Sequence, residues 1–486
     1  MIPARELIER ALGHSRAAHC TVVVDDSTET WLRWSDGDLT ANGSADGRRV
    51  TVLSAVPGGG GTALGSRSAT GVGPDGLEAL VRAAEAAAGQ APPGGGSVEP
   101  LGPGLPGGAG DFAGDATVAV TGGFAGDFAD GEPAAPHRLG DLVPALADWQ
   151  RRAATPLAGF AHHTTVTTRL GSSTGLRLRH TQPTGTLELQ ARSSDGTRSA
   201  WAGTVGPDLG GVDLAALESL TTDRLRRALP YRPLPPGRYE VILPPGAVAD
   251  LMITAYRVAG ADDAVEGRTV FGRPGGGTRL GERLAALPLT LRSDPAEPGL
   301  ECPPFVLSRG AVSDVFGGAV QAGSDPLDNG LPLGPVDWIR DGVLTSLLTS
   351  RAGAARLGLP VRPAVGNLVL DGGGTASLAE MVRTTRRGLL LTCLWYMRRT
   401  DAATLSLTGL TRDGVYLVED GEITAETDDF RFAESPVSLL ARATGAGRTE
   451  RALAREFGAH FPRTAMPPLR IPDFHLTSVS PAARGR

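Results

Sequence analysis

The 486-residue sequence contains no lysine, so that all 47 of its basic residues are arginines. A Schiff base, a pyridoxal phosphate linkage and a Walker-type phosphate loop each require a lysine amine, and the sequence therefore excludes these three chemistries. The glycine-rich stretch Pro274–Gly277 is accordingly predicted to form a tight turn rather than a nucleotide cradle, because glycine adopts positive φ without strain.

Cysteine is almost as scarce. Cys20, Cys302 and Cys393 lie far apart and form no C-x-x-C pair, which fits neither a disulfide framework nor a zinc ribbon and predicts buried free thiols. The eight histidines are scattered too, and only His162 and His163 are adjacent. Neighbours on a strand point to opposite faces, so this pair is not suited to sharing one metal ion.

The sequence also lacks the features of membrane and nucleic-acid proteins. It has no run of about 18 apolar residues, so no membrane-spanning helix is predicted. Its net charge of −6 provides no basic surface for nucleic acid. The start, MIPARELIERALGHS, has the pattern of a charged amphipathic helix without the apolar core of a secretory signal, and a cytoplasmic location is therefore expected.

Hydrophobic periodicity predicts an α+β fold with a β-rich C-terminal half. Helical spacing is found at 4–13, 76–88, 139–154 and 213–229, and strand-like alternation at 20–24, 49–53, 164–170, 176–182 and 186–193. The predicted organisation is an N-terminal α/β unit (1–90), a Gly/Pro-rich linker or flexible loop (91–136), a central helix with antiparallel strands (137–229), a β-rich domain (230–479) and a disordered tail (480–486).

One short motif imitates a catalytic signature. Residues 171–175 read GSSTG and match the G-x-S-x-G nucleophile elbow, which requires a strand before the serine and a helix after it. The residues that follow, LRLRH, alternate like a strand. The motif is therefore predicted to be a hairpin turn.

Longer segments carry a family resemblance. Residues 237–283 read GRYEVILPPGAVADLMITAYRVAGADDAVEGRTVFGRPGGGTRLGER. Further landmarks are GSSTGLRLRHTQPTG (171–185), SAWAG (199–203), DNGLPLGPVDWIRDGVL (328–344), LLLTCLWYMRRTD (389–401) and LTGLTRDGVYLVEDGEI (407–423). Together these segments resemble the TldD/PmbA family of zinc-dependent peptidases, and most of all its TldE (PmbA) branch of the actinobacterial type.

The resemblance implies that the family's zinc site is missing. Active members carry His-Glu-x-x-x-His on a helix, where the histidines bind zinc and the glutamate is the general base. The matching positions here hold Ile253, Thr254 and Val258, and neither isoleucine nor valine offers a lone pair to a metal. The third ligand, a cysteine in active members, corresponds to Arg412, which is a permanent cation.

The resemblance thus implies a non-catalytic, TldE-like subunit that binds no cofactor itself. Zinc and the general base are expected in a TldD-like partner, with which the chain would form a heterodimer that cleaves unfolded or modified peptides. Within the chain, Trp395, Tyr396, Arg398 and Arg399 are candidates for substrate binding, since aromatic rings beside guanidinium groups suit an extended peptide. A half-buried strand with core aromatics and solvated arginines explains the same pattern.

Two other functions remain open from the sequence. The chain could be a hydrolase in its own right with a different catalytic set, although no spacing announces a nucleophile and base. Alternatively, it could be a scaffold or binding protein in the maturation of a peptide natural product.

Overall fold

A computed structural model of the chain describes residues 2–36, 38–58, 61–94, 98–102, 139, 142–152, 157–226, 229–310 and 325–480. Most of the predicted linker and the tail 481–486 lie outside these residues. The architecture is mixed α+β, as predicted, and it is built on three β-sheets. Among the described residues, no helix is both long enough and apolar enough to cross a membrane.

The first sheet joins the N-terminal and central segments of the chain. Its six strands are antiparallel and lie in the order β3-β2-β1-β4-β5-β6. They are β1 (His19–Ser35), β2 (Asp38–Gly58), β3 (Gly61–Thr70), β4 (Leu157–Ser172), β5 (Arg177–Arg192) and β6 (Ser199–Gly206). Because β1 pairs with β4, the two segments that the sequence analysis separates share one sheet. Alternation marks a strand but does not identify its neighbour.

Four helices pack against this sheet: α1 (Ala4–His14), α2 (Pro74–Gln90), α3 (Leu142–Arg152) and α4 (Leu214–Arg226). Strand β1 packs against both pairs of helices. Val22 and Val24 belong to the apolar cluster of α1 and α2, whereas Leu32 and Trp34 belong to that of α3 and α4. The amphipathic patterns of the sequence located all four helices, to within about three residues at the described ends.

Strand β5 is longer than predicted. The sequence suggests separate strands at 176–182 and 186–193 because Pro183 and Gly185 interrupt the alternation, but β5 runs through both residues. Pro183 lies opposite Thr165 of β4, while β6 begins to pair with β5 only at Gly185. One side of β5 is therefore a free edge near Pro183, where a strand tolerates proline.

The C-terminal half contains the other two sheets. The second sheet has the order β10-β9-β8-β11-β18-β17. Its strands are β8 (Thr290–Ser293), β9 (Val336–Arg340), β10 (Val343–Leu344), β11 (Leu368–Asp371), β17 (Glu450–Arg451) and β18 (Thr464–Met466). The C-terminal half also contains the short helices α6 (Ala261–Val265), α7 (Arg351–Leu357), α8 (Leu378–Arg383) and α9 (Pro436–Arg442), of which α8 and α9 contact strands of the third sheet.

The third sheet returns on itself. The order β12-β7-β19-β15-β13-β14 is closed by a further pairing of β12 with β13, and β16 pairs with β19. The strands are β7 (Gly237–Leu243), β12 (Arg387–Asp401), β13 (Ser406–Glu419), β14 (Glu422–Glu426), β15 (Phe430–Glu434), β16 (Gly445–Ala446) and β19 (Leu469–Val479). Helix α5 (Pro245–Arg257) contacts both β12 and β18, so it lies between the second and third sheets in the largest apolar core.

Candidate functional site

The zinc-motif positions of the family resemblance lie on α5. Strand β7 enters this helix through Pro244 and Pro245, and a proline is well suited to the first helical turn. Ile253 is fully buried in the apolar core, and the Thr254 hydroxyl donates a hydrogen bond to the carbonyl oxygen of Asp250 at 2.8 Å. Val258 follows the last residue of the helix and packs against the same core. These side chains do not fit a zinc ion, because none of them supplies an imidazole, thiolate or carboxylate.

Asp250, one turn before these positions, is the polar centre of α5. Its side chain is fully buried and accepts backbone N–H hydrogen bonds from Arg455, Glu456 and Phe457, each at 3.0 Å. Burial raises the pKa of Asp250 to about 8, although the three N–H donors act in the opposite direction. The residue thus fastens the segment 455–457 to the helix. The sequence analysis missed it, although a single acid within the apolar run AVADLMI was a signal.

Arg455, held by that anchor, connects the first and third sheets. Its guanidinium carbon lies 4.9 Å from the ring centroid of Trp201 on β6 and 4.8 Å from that of Trp395 on β12. The Nη1 atom donates to Glu188 of β5 at 3.0 Å. Trp395, a predicted substrate-binding residue, is therefore half-buried in a cation–π stack that holds two sheets together.

The other substrate-binding candidates lie beside this stack, and the ring centroid of Tyr396 is 5.9 Å from that of Trp395. Tyr396 is 55% exposed and has a φ of +53°, at an irregularity in the β12–β13 ladder. Arg398 pairs with Glu456 at 3.0 Å, and its guanidinium carbon lies 5.8 Å from the Tyr396 ring. Arg399 is exposed. Trp395, Tyr396 and Arg398 thus form a continuous series of contacts from the half-buried stack to the exposed surface, and substrate binding by the four candidates stays a prediction.

Arg412, by contrast, lines a cavity of about 270 Å³. The cavity lies between the β5–β6 turn of the first sheet and β13, with the segment that follows β14. Its lining residues are Arg192, Gly196, Thr197, Arg198, Ser199, Leu410, Thr411, Arg412, Gly414, Val415, Glu426, Thr427, Asp429 and Ser480. Next to Arg412, Asp413 has a φ of +60° and Gly414 a φ of +119°, where a Cβ atom would lie 2.6 Å from the Tyr416 ring. Only glycine fits this bulge.

Carboxyl groups meet at the cavity wall. Burial raises the pKa of Asp429 to about 7, and the Thr411 hydroxyl donates to Asp429 at 3.2 Å. Burial also raises the pKa of Glu426, which lies 3.5 Å from Arg198. The fully buried Asp413 accepts a hydrogen bond from Ser199 at 2.7 Å. Within the described part of the chain, no group of three or more His, Cys, Asp or Glu residues has the geometry to hold a metal ion.

The GSSTG motif forms the hairpin turn between β4 and β5, as predicted. Ser173 nevertheless contacts a histidine, since its Oγ lies 3.1 Å from Nδ1 of His19. The same Oγ accepts the N–H of Cys20 at 3.0 Å, and the Ser173 N–H donates to the Cys20 carbonyl at 2.8 Å. Burial lowers the pKa of His19 to about 4, and Nε2 faces the hydroxyl of Thr21 rather than a carboxylate. His19 is therefore a poor general base, and the contacts of Ser173 hold the first residues of β1 against the β4–β5 turn.

We therefore expect Ser173→Ala to leave hydrolysis by the purified chain unchanged. Wild type and variant should both remain at background with a peptide and with an activated ester, because no carboxylate of the described residues orients the His19 imidazole. Ser27→Ala, at a half-buried position of β1, is the matched control. Hydrolysis by the wild type that both Ser173→Ala and His19→Ala abolish would instead identify a stand-alone hydrolase.

Comparisons with known proteins connect this architecture to a family. Over its whole fold the chain resembles the crystal structure of TldE from Thermococcus kodakarensis, with a TM-score of 0.73, 15% identity and coverage of 97% of this chain and 99% of that one. A proposed modulator of DNA gyrase from Bacteroides thetaiotaomicron is similar, with a TM-score of 0.71, 14% identity and 98% coverage of both chains.

A third structure, a proposed modulator of a DNA gyrase from Thermotoga maritima, has a TM-score of 0.67, 16% identity and coverage of 97% of this chain and 99% of that one. The comparison with curated proteins found no match. Residues 236–478 match the sequence profile of the PmbA/TldA metallopeptidase C-terminal domain, which spans β7, α5 and the second and third sheets. The chain therefore belongs to the PmbA/TldD metallopeptidase family and has a TldE-like fold.

Proposed function

We propose that this chain is a metal-free subunit of a TldD/TldE-type metallopeptidase complex and takes part in the proteolysis of unfolded or modified peptides. The observation that carries the proposal is the burial of Ile253 in the apolar core at a position where active relatives need an imidazole. Val258 and Arg412, at the other two ligand positions, equally lack a donor for zinc. The family membership of the C-terminal domain supports a role in peptide cleavage nonetheless.

In this proposal, a TldD-like partner supplies the zinc and the glutamate base. This chain supplies part of the surface that surrounds and contacts the peptide. Its three sheets and the Trp201–Arg455–Trp395 stack form a stiff framework on which a partner can dock. Strands β3 and β6 are the edges of the first sheet. A sheet edge pairs with the backbone of an extended peptide and is indifferent to most side chains, which suits a broad range of peptides.

The test is co-expression with a TldD-like chain from the same genome. We expect a heterodimer that survives size exclusion, because obligate interfaces bury more than about 2,000 Å². Cleavage of an unstructured peptide should require both chains and stop when a chelator removes the metal. A partner whose motif glutamate is replaced by glutamine is the matched control, since it should form the complex without cleaving peptide.

Metal analysis of each purified chain completes this test. The isolated chain should contain far less than one zinc per molecule and should not cleave peptide, whereas the partner should carry the metal. One tightly bound zinc in the isolated chain, together with chelator-sensitive cleavage, would contradict the proposal. So would a partner that cleaves peptides equally fast alone, and a scaffold function would then replace the subunit function.

A further inference from the structure

The cavity at Arg412 has a chemistry that the zinc-motif positions on α5 do not explain. Three guanidinium groups line it, from Arg192 at the end of β5, Arg198 just before β6 and Arg412 in β13. Two carboxyl groups, of Glu426 and Asp429, face them. Residues of the first and third sheets, and of the segments beside them, therefore both contribute charged groups to this cavity.

The three guanidinium groups differ in how closely they approach an acid. Arg198 lies 3.5 Å from Glu426 and donates to the carbonyl of Leu225 at 2.9 Å. For Arg412, the nearest carboxylate oxygen among the described residues is Oδ1 of Asp413 at 3.9 Å, which already accepts the Ser199 hydroxyl. The exposed Arg192 forms no ion pair with any described residue.

The remaining polar groups of the cavity add donors. Thr427 is 7% exposed, and its hydroxyl has no hydrogen-bond partner among the described residues. Burial raises the pKa of Asp429 to about 7, so this carboxyl carries less than its full charge near neutral pH, and burial also raises the pKa of Glu426. Three guanidinium groups thus line the cavity against two carboxyl groups, and one of these, Asp429, is partly protonated near neutral pH.

We propose that this cavity binds the carboxylate of a peptide ligand between Arg192 and Arg412, with the C-terminal α-carboxylate as the occupant. Guanidinium groups bind carboxylates through paired, charge-assisted hydrogen bonds. The volume of about 270 Å³ is below the range of about 300–1,000 Å³ for drug-sized ligands, which suits the end of a chain rather than its middle. The peptide nature of the ligand rests on the proposed function, whereas the carboxylate site itself rests on the cavity alone.

Binding is measured on the purified chain by fluorescence anisotropy, with an N-terminally labelled tetra-alanine peptide that ends in a free carboxylate or in an amide. We expect the free carboxylate to bind at least about 10-fold more tightly, as a charge-assisted hydrogen bond permits. Arg412→Gln and Arg192→Gln should each reduce this preference to about twofold or less. Arg386→Gln, an exposed arginine outside the cavity, is the control and should retain it.

Further arms separate the sources of the carboxylate. An amidated peptide that ends in aspartate offers only a side-chain carboxylate and should bind more weakly than the free C-terminus. Equal binding of the free and amidated peptides, or an unchanged preference in both arginine variants, would overturn the proposal. Competition by inorganic phosphate that exceeds competition by acetate would also overturn it, because it would indicate a general anion site. Unfolding midpoints of the variants verify that they are folded.

Lowering the pH should strengthen the binding of the free-carboxylate peptide to the cavity. Asp429 faces Arg412 and Asp413 of β13 and Glu426 of β14, while Arg192 and Arg198 face it from the first sheet. Its protonation near pH 7 removes a repulsion toward the ligand, so affinity should rise about 10-fold from pH 8 to pH 6. A flat profile would contradict the part assigned to Asp429. If the heterodimer forms but the chain does not prefer the free carboxylate, this inference alone is rejected. If the chain prefers the free carboxylate but no heterodimer forms, the subunit function alone is rejected.

Discussion

Asp250→Ala should lower the free energy of unfolding by about 3–9 kcal/mol, since it leaves three backbone N–H groups without their acceptor at about 1–3 kcal/mol each. Those groups belong to Arg455, Glu456 and Phe457, so the segment that carries the Arg455 stack should loosen first. Chemical denaturation followed by tryptophan fluorescence measures both effects, because Trp201 and Trp395 flank Arg455.

Two variants provide the comparison for Asp250→Ala. Asp263→Ala removes a carboxylate whose side chain is 45% exposed and should change stability by less than about 1 kcal/mol. Asp250→Asn keeps one acceptor oxygen but turns an amide N–H₂ group toward a backbone donor. Its loss of unfolding free energy should therefore lie between those of Asp263→Ala and Asp250→Ala. An Asp250→Ala variant as stable as Asp263→Ala would show that the three hydrogen bonds contribute nothing.

The raised pKa of Asp250 also predicts the sign of a pH effect. Below its ordinary value of 3.8, the folded and unfolded chains both hold the proton. Between there and about 8, only the folded chain retains it, so the free energy of unfolding should fall as the pH rises through this window and then level off. Asp250→Ala should lack this component of the pH profile.

The second large effect is expected when the residues of the zinc motif are introduced by substitution. Ile253→His, Thr254→Glu and Val258→His together should create neither a zinc site nor a peptidase, and should destabilise the chain by about 3–5 kcal/mol, since Ile253 is fully buried among apolar side chains. Position 258 lies just beyond the last residue of α5, Arg257. Arg412 would still offer a cation at the third position.

Metal analysis, peptide cleavage and thermal unfolding of this triple variant test that expectation. Thr254→Ser alone is a suitable control, because its hydroxyl keeps the hydrogen bond to the Asp250 carbonyl. Stoichiometric zinc in the triple variant would mean that Arg412 does not occupy the third ligand position, or that the hydrogen bonds that orient metal-bound imidazoles are already present.

Local sequence patterns predicted the positions of helices and strands better than they predicted which strands pair with each other. The apolar faces of α1, α2, α3 and α4 were visible in the sequence because helical periodicity needs no knowledge of tertiary structure. The GSSTG turn was identified from the alternation that follows it. Strand β5 was divided at Pro183, because whether proline is tolerated depends on an edge that only the position of β6 defines.

The polar groups around the candidate site were mostly beyond the reach of sequence patterns. Asp250 and Arg455 are about 200 positions apart, and nothing local announces that one holds the backbone of the other. Trp395 was selected for its aromatic and arginine neighbours in the sequence, yet its arginine contacts come from Arg412 and Arg455. The cavity unites residues from 192 to 480, and its charge balance depends on burial.

By itself, the sequence determined the fold class and the helices, and a family resemblance led to the prediction that positions 253, 258 and 412 correspond to zinc ligands and lack a donor. These properties depend on side-chain chemistry and on short-range periodicity, which any stretch of chain displays. Only the tertiary structure decided that the N-terminal and central segments share a sheet, that Asp250 anchors the segment 455–457, and that Arg192 and Arg412 face one cavity. Such contacts join distant residues, and their strength comes from burial, which no local pattern encodes.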